Sequence, residues 1–334
     1  MKKSIIKNLK RKARKNFTLL ELLIIVAILA IVGGGLVTSF EGLQAQAAKA
    51  SATNTIASLQ NSIRTYQSME GTLPNNLDSL LAAKTTTATA TNGVVTATDI
   101  TTYVGPDKSD TNNGGLELAN YLGSEKMGKK VVAQALSADQ AKNLVDAGIT
   151  TVRYLDTVSL VGGTLGIPDA DGVSPVQIGA IADIDIPQLG FNVPRPGADH
   201  NRGRAFEIAV DSSSTTVQQF AVWGGQDAAN PTADYDNTKL GADPKAVLVA
   251  FGIGPDSTLV AGGKTDSNAA NDNTLGDAGK IASAPFYGDV SKSTYPSYVM
   301  LVDVQQNPAK FVAVVDARGD FLAEEFAEQS GQKR

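Results

Sequence analysis

The residue with the most pressing chemistry in this sequence is Glu21. It stands in an otherwise apolar run, Phe17-Thr-Leu-Leu-Glu21-Leu-Leu-Ile-Ile-Val-Ala-Ile-Leu-Ala-Ile-Val32. No charge follows between Leu22 and Phe40, a stretch about as long as a bilayer crossing requires. A carboxylate at the edge of such a helix costs roughly 2.5 kcal/mol or more when it is deep and unpaired. Charges in that position are met with a cation partner. Ahead of the run lie Lys2, Lys3, Lys7, Lys10, Arg11, Lys12, Arg14 and Lys15, with no acid among the first sixteen residues. Cations followed by a span follow the positive-inside rule and argue against an arm for nucleic acid.

Lys15-Asn16-Phe17-Thr18-Leu19-Leu20-Glu21-Leu22-Leu23 resembles the processing and methylation motif of type IV pilins and type II secretion pseudopilins. The resemblance implies that a basic leader is cut before Phe17 and that the new amine is methylated. It also implies that Glu21 pairs with the terminal amine of a neighbouring subunit and so sets the register of assembly. Asn16 stands where the family nearly always has Gly. The match is strong over about 25 residues and extends weakly to about residue 80. Two plainer readings compete. One is a secretory signal peptide ending at Ala45-Gln46-Ala47; the other is a permanent single-span anchor. The charge-free stretch is longer than the 7–15 apolar residues of a signal peptide, and Glu21 interrupts its start.

Other chemistry is thinly represented. His200 is the only histidine and stands in a polar segment, Pro196-Gly-Ala-Asp-His200-Asn-Arg-Gly203. A Ser-His-Asp arrangement would depend on that one residue. No Gly-x-Ser-x-Gly elbow and no phosphate-binding glycine loop occurs. The expectation is therefore a protein that is not an enzyme. Calcium takes 6–8 oxygen ligands. The segment from Gly254 onward supplies Asp256, Asp266, Asp272 and Asp277 among several Asn residues. Phe251-Gly-Ile-Gly-Pro-Asp256 is similar to the segment preceding the calcium loop of major pseudopilins, so these four Asp are the calcium candidates. Asp169-Ala-Asp-Gly172 is a shorter stretch of the same kind. Arg318-Gly319-Asp320 matches a tripeptide read by some adhesion receptors, but Gly319 reads more simply as a turn after a strand.

Composition narrows the class. Removing the eight leader cations takes the net charge from −5 to −13 and leaves 318 of the 334 residues. An acidic product of that kind favours solubility and disfavours phosphate backbones, so no nucleic-acid partner is expected. There is no cysteine, which excludes disulfides and thiolate metal sites.

The elements that must position these residues follow from periodicity. A helix from Phe17 to Met69 would hold 53 residues and span about 80 Å. Gly33-Gly34-Gly35 weakens it by about 1 kcal/mol per residue, marking a kink, a melted stretch or a close helix approach. Ile56, Leu59, Ile63 and Tyr66 recur at helical spacing and define a face to pack on a globular domain. Gln60, Asn61, Arg64 and Thr65 fall off that face. Gly71-Thr-Leu-Pro-Asn-Asn-Leu77 breaks the helix. A short helix is expected over Leu77–Ala83, then a Thr/Ala-rich loop or edge hairpin over 85–102. A short helix follows near Leu116–Leu122. Ser137 and Gln140 form a capping box for a second helix, closed by Gly148. Strands are expected at Val152–Leu160, Val176–Ile184, Ala205–Val210, Val217–Trp223, Ala246–Ile253, Tyr298–Val304 and Phe311–Val315. The last two flank Gln305-Gln-Asn-Pro308 as a hairpin.

The expected fold is α+β and pilin-like: a long N-terminal helix packed on an antiparallel sheet, with an inserted α/β region over 85–240. The expected divisions are a leader over 1–16, a helix over 17–69 with its membrane or filament-core part over 17–40, and a globular domain over 70–334. The resemblance implies a homo-oligomeric helical filament. It further implies a prepilin peptidase, an inner-membrane assembly platform, a single-pass stage in the membrane, and a final place in the periplasm or on the cell surface. A secreted or tethered binding protein, for carbohydrate for instance, is the alternative.

Overall fold

The computed structural model describes residues 19–85, 100–110, 115–156, 160–161, 164–168, 175–177, 205–213, 218–224, 246–254, 257–260 and 294–330. Helix α1 runs Leu19–Glu70, 52 residues, and continues through Gly33-Gly34-Gly35. The chain divides into two units, residues 1–47 and 48–334.

In the first unit the described side chains are Leu19, Leu20 and 22–29, and every large apolar one among them is exposed, from 44% at Ile25 to 82% at Leu19. Among the described residues no helix is long and apolar enough to cross a membrane. The charge-free stretch of the sequence continues to Phe40, beyond the side chains described here.

In the second unit the last turns of α1 carry the expected stripe. Ile56, Leu59 and Ile63 are buried in the core, and Tyr66 packs against it. Full burial of each aliphatic side chain contributes about 1.5–3 kcal/mol. The opposite positions, Asn61, Arg64 and Thr65, are exposed. The Tyr66 hydroxyl reaches Thr258 Oγ1 at 3.1 Å. Gly71 stops the helix with φ +74 and donates its N–H to Gln67 O.

Nine strands form one mixed sheet: β1 (Leu77–Thr85), β2 (Ile100–Val104), β3 (Val131–Ala135), β4 (Thr151–Asp156), β8 (Ala205–Ala209), β9 (Gln219–Trp223), β10 (Leu248–Gly252), β11 (Val299–Asp303) and β12 (Lys310–Val315). A separate three-stranded sheet holds β5 (Leu160–Val161), β6 (Thr164–Pro168) and β7 (Pro175–Gln177). The main order is β12-β11-β10-β1-β4-β8. The far edge of β10 is divided: Gly252 pairs with Asp78 of β1, and Val249 pairs with Val222 of β9, which carries β3.

Three expectations need correction. The helix expected over Leu77–Ala83 is strand β1. All seven of these residues are buried, whereas a helix on the edge of a domain keeps a solvent face. Asn75 sets the strand's entry, its Oδ1 accepting the N–H groups of Thr150 at 3.0 Å and Thr151 at 2.9 Å. Long-range pairing overrides local propensity at this point. The sheet is not wholly antiparallel, because β1 and β4 run parallel, Asp78 opposite Arg153. Parallel neighbours need a long crossover, and residues 86–150 supply it with β2, β3 and the helices between. Nor does the 85–240 stretch stand apart, since β3, β4, β8 and β9 all belong to the main sheet.

The hairpin of β11 and β12 forms as expected, with Val299 opposite Val315 and a cis Asn307–Pro308 bond in its connection. Helix α2 (Gly115–Tyr121) forms, followed by a π-helical turn over Gly123–Met127 and a single turn, α3, over Gly128–Lys130. Strand β3 and a C-terminal helix, α5 (Leu322–Gln329), were not among the expected elements.

Helix α4 (Ala138–Asp146) carries the reciprocal capping box, Gln140 N–H to Ser137 Oγ at 3.2 Å and Ser137 N–H to Gln140 Oε1 at 2.9 Å. Its stop, Gly148, has φ +97, and a Cβ there would overlap Thr72 Cβ. Leu73 N–H is bonded to Ala147 O at 2.7 Å in the same corner. Gly148→Ala is therefore expected to cost about 1–3 kcal/mol through backbone strain and the clash. A denaturant titration showing loss below 0.5 kcal/mol would contradict this.

Candidate functional site

A carboxylate at the start of an exposed apolar helix is the arrangement with the clearest chemical demand in the chain. Glu21 lies in α1. Asn16 and Phe17 lie outside the described residues. Leu19, Leu20, Leu22, Leu23, Ile24, Ile25, Val26, Ile28 and Leu29 are all exposed around Glu21 in sequence. Exposed apolar side chains in that number mark a surface to be covered by lipid or protein.

The other candidates fare differently. Asp256, Asp266, Asp272 and Asp277 lie outside the described residues, as do His200 and the Asp169–Gly172 stretch. Arg318-Gly319-Asp320 is described and forms a turn, with Gly319 at φ +81. Asp320 is buried and ion-paired to Lys130 Nζ at 3.1 Å. Lys130 also donates to Gly319 O at 2.6 Å and lies 5.8 Å from the Trp223 ring centre. The tripeptide's carboxylate thus faces inward and serves packing.

The structure assembles two buried polar clusters that sequence reasoning missed. In the first, Asp78 on β1 meets Arg153 on β4, Nη1 to Oδ1 at 3.4 Å, and accepts the Tyr295 hydroxyl at 2.8 Å on Oδ2. Burial first, then the Asp78 charge, holds the Tyr295 phenol well above its usual pKa, so it remains a donor. In the second, Asp316, Asp320 and Glu325 bring one carboxylate oxygen each to within 4.8 Å of one another, all three residues buried. Single charges inside apolar runs, such as Arg153 in Thr-Val-Arg-Tyr-Leu, are the one sequence signal that could have flagged these positions.

An open cleft of about 610 Å³ lies between residues 102–110 and β3. Asp107 there accepts the Ser109 N–H at 2.8 Å and its hydroxyl at 2.7 Å, and these bonds, the hydroxyl's foremost, hold its carboxyl below the usual range. They close a turn.

Residues 11–37 match the family described as the prokaryotic N-terminal methylation motif. The chain matches no curated protein and no solved structure. The matched segment contains Asn16, Phe17 and Glu21 and the first turns of α1. It is the hallmark of type IV pilin and pseudopilin leaders, and it implies processing by a prepilin peptidase and assembly into pilus-like filaments.

Proposed function

We propose that this chain, whose residues 11–37 are a prepilin-type methylation motif, is a structural subunit of a type IV pilus-like or type II secretion pseudopilus filament. The observation that carries the proposal is the motif's position. It covers part of the basic leader and Glu21 and runs into a charge-free stretch that ends at Phe40, which supports a cut before Phe17.

In this reading the leader stays cytoplasmic and residues 17–40 hold the precursor in the inner membrane. A peptidase cuts between Asn16 and Phe17, and the new amine is methylated. An assembly platform then lifts the subunit out, and its apolar helix moves from lipid into a bundle of equivalent helices. Glu21 meets the Phe17 amine of a neighbour there. Two opposite charges attract far more strongly in that low-dielectric bundle than at a wet surface. The acidic globular domain, with α1 from residue 48 onward packed in its core, faces the periplasm or the cell exterior. The protein acts by polymerising and performs no catalysis.

Intact-mass spectrometry of the mature chain tests the first step. The expected product begins at Phe17 and carries one added methyl group. A start at Ala48 would identify signal peptidase, and a start at Met1 a permanent anchor; either would overturn the proposal. Because Asn16 occupies the position before the cut, Asn16→Gly is expected to leave the cut site unchanged.

A further inference from the structure

We propose that Lys130 and Asp320 condense in the folded chain into an isopeptide bond, Lys130 Nζ to Asp320 Cγ, with loss of one water. The link goes beyond the filament reading and stands independently of it.

The reacting groups are already in contact. Lys130 ends α3 and Asp320 lies in the turn after β12, 190 residues apart in the chain and separated in the sheet by β9, β10 and β11. Nζ stands 3.1 Å from Asp320 Oδ1, one covalent bond from the carbon it attacks, and the two side chains are 14% and 4% exposed. Gly319 O accepts from Nζ at 2.6 Å and fixes the amine on the same turn. A Cβ built on Gly319 would lie 2.5 Å from Lys130 Cδ and 3.1 Å from Trp223 Cη2, so the lysine stem and the indole close over this stretch of backbone. Groups held in contact by a fold react with effective molarities of about 10⁵–10⁸ M when aligned.

The step balances within the protein. A buried ion pair carries the desolvation cost of both charges. Transfer of one proton from Nζ to Asp320 leaves a neutral amine and a carboxylic acid, a form that the interior favours more than water does. The amine lone pair forms the N–C bond at Cγ while the C=O π pair moves onto oxygen. The nitrogen then gives up a proton, the hydroxyl takes one, the C–OH bond breaks and water leaves. Ammonium and carboxylate become amide and water, with no oxidant or reductant.

That proton needs a carrier beside the carbon, and Asp316 is placed for it. Asp316 is fully buried, and one of its carboxylate oxygens lies within 4.8 Å of one of Asp320. The N–H groups of Arg318 at 2.9 Å and Asp320 at 2.7 Å hold its Oδ1 in place. Burial, then the Asp320 charge, lifts its carboxyl from 3.8 to about 6, close enough to neutrality to accept a proton and return it. The bond closes a long loop in a chain that has no cysteine, as a disulfide does in other proteins.

The test is intact-mass spectrometry and tryptic mapping of the full chain purified in detergent. Wild type is expected to weigh about 18 Da less than its processed sequence, to resist trypsin after Lys130, and to yield one branched peptide holding both residues. Lys130→Arg keeps a cation beside Asp320 and should return the full mass while circular dichroism shows a folded chain. Asp316→Asn should fold and yet leave most molecules unlinked; complete linkage in that variant would overturn the role given to Asp316. Folded wild type at full sequence mass, cut normally after Lys130, would overturn the bond itself. So would the same mass deficit retained in Lys130→Arg, since the water would then have left another site, such as a succinimide. The branched peptide is read on wild type, so the test stands even where a variant fails to fold.

Discussion

Cells producing Glu21→Val are expected to insert the precursor and cut it before Phe17 at the normal rate, yet to make no filaments. Valine restores an uninterrupted apolar run, so insertion should be as good or better. The loss falls on the next step. In the proposed bundle the amine of each Phe17 is buried against a neighbour's Glu21. Removing one partner of a buried pair leaves the other charged and unmatched, which costs about 3–5 kcal/mol. Each tenfold in affinity corresponds to about 1.4 kcal/mol, so subunit association should weaken by roughly two to four orders of magnitude. Glu21→Asp keeps the charge on a shorter arm and should retain part of the assembly. The measurement is a sheared-filament assay beside a membrane fraction, with intact mass to verify the cut. Normal filament yield from Glu21→Val would refute the pairing. Failure to insert or to be cut would assign Glu21 to processing instead.

Asp78→Ala is expected to destabilise the globular unit by about 3–5 kcal/mol, which for a unit of this size lowers the unfolding midpoint by on the order of 10 °C. Asp78 is fully buried at the crowded end of β1, where β4 and β10 flank it. Its loss removes the carboxylate that meets Arg153 Nη1 at 3.4 Å, on a side chain 1% exposed, and the acceptor of the Tyr295 hydroxyl. Gly252 and Gly254 pack closely against this group, a Cβ built on Gly254 lying 3.0 Å from the Asp78 carboxyl carbon. The double variant Asp78→Ala with Arg153→Met removes both charges and should recover part of the loss, because a buried cation that has lost its carboxylate is costlier than an apolar side chain in its place. Thermal scans of the full chain in detergent provide the comparison. A loss under 1 kcal/mol in Asp78→Ala, or a double variant as damaged as the two single losses combined, would show that the cluster is not coupled as described.

What could be read from the sequence was short-range. The capping box of α4 involves residues three apart, the stripe of Ile56, Leu59 and Ile63 recurs within one helix, and the β11–β12 hairpin joins strands six residues apart. The Glu21 motif is equally local: charge, length and spacing over 11–37 state its chemistry without any fold. The tertiary structure decided β1, whose burial on both faces erases the alternation that identifies a strand. It also decided the parallel β1–β4 pair and the Asp78–Arg153 contact, which join residues 75 positions apart in the sequence. Asp316, Asp320 and Glu325 are close in sequence, yet their burial together depends on the turn after β12, and the cation of Asp320, Lys130, comes from 190 residues upstream. Periodicity and caps are properties of neighbours along the chain, whereas burial of a charge is a property of everything packed around it.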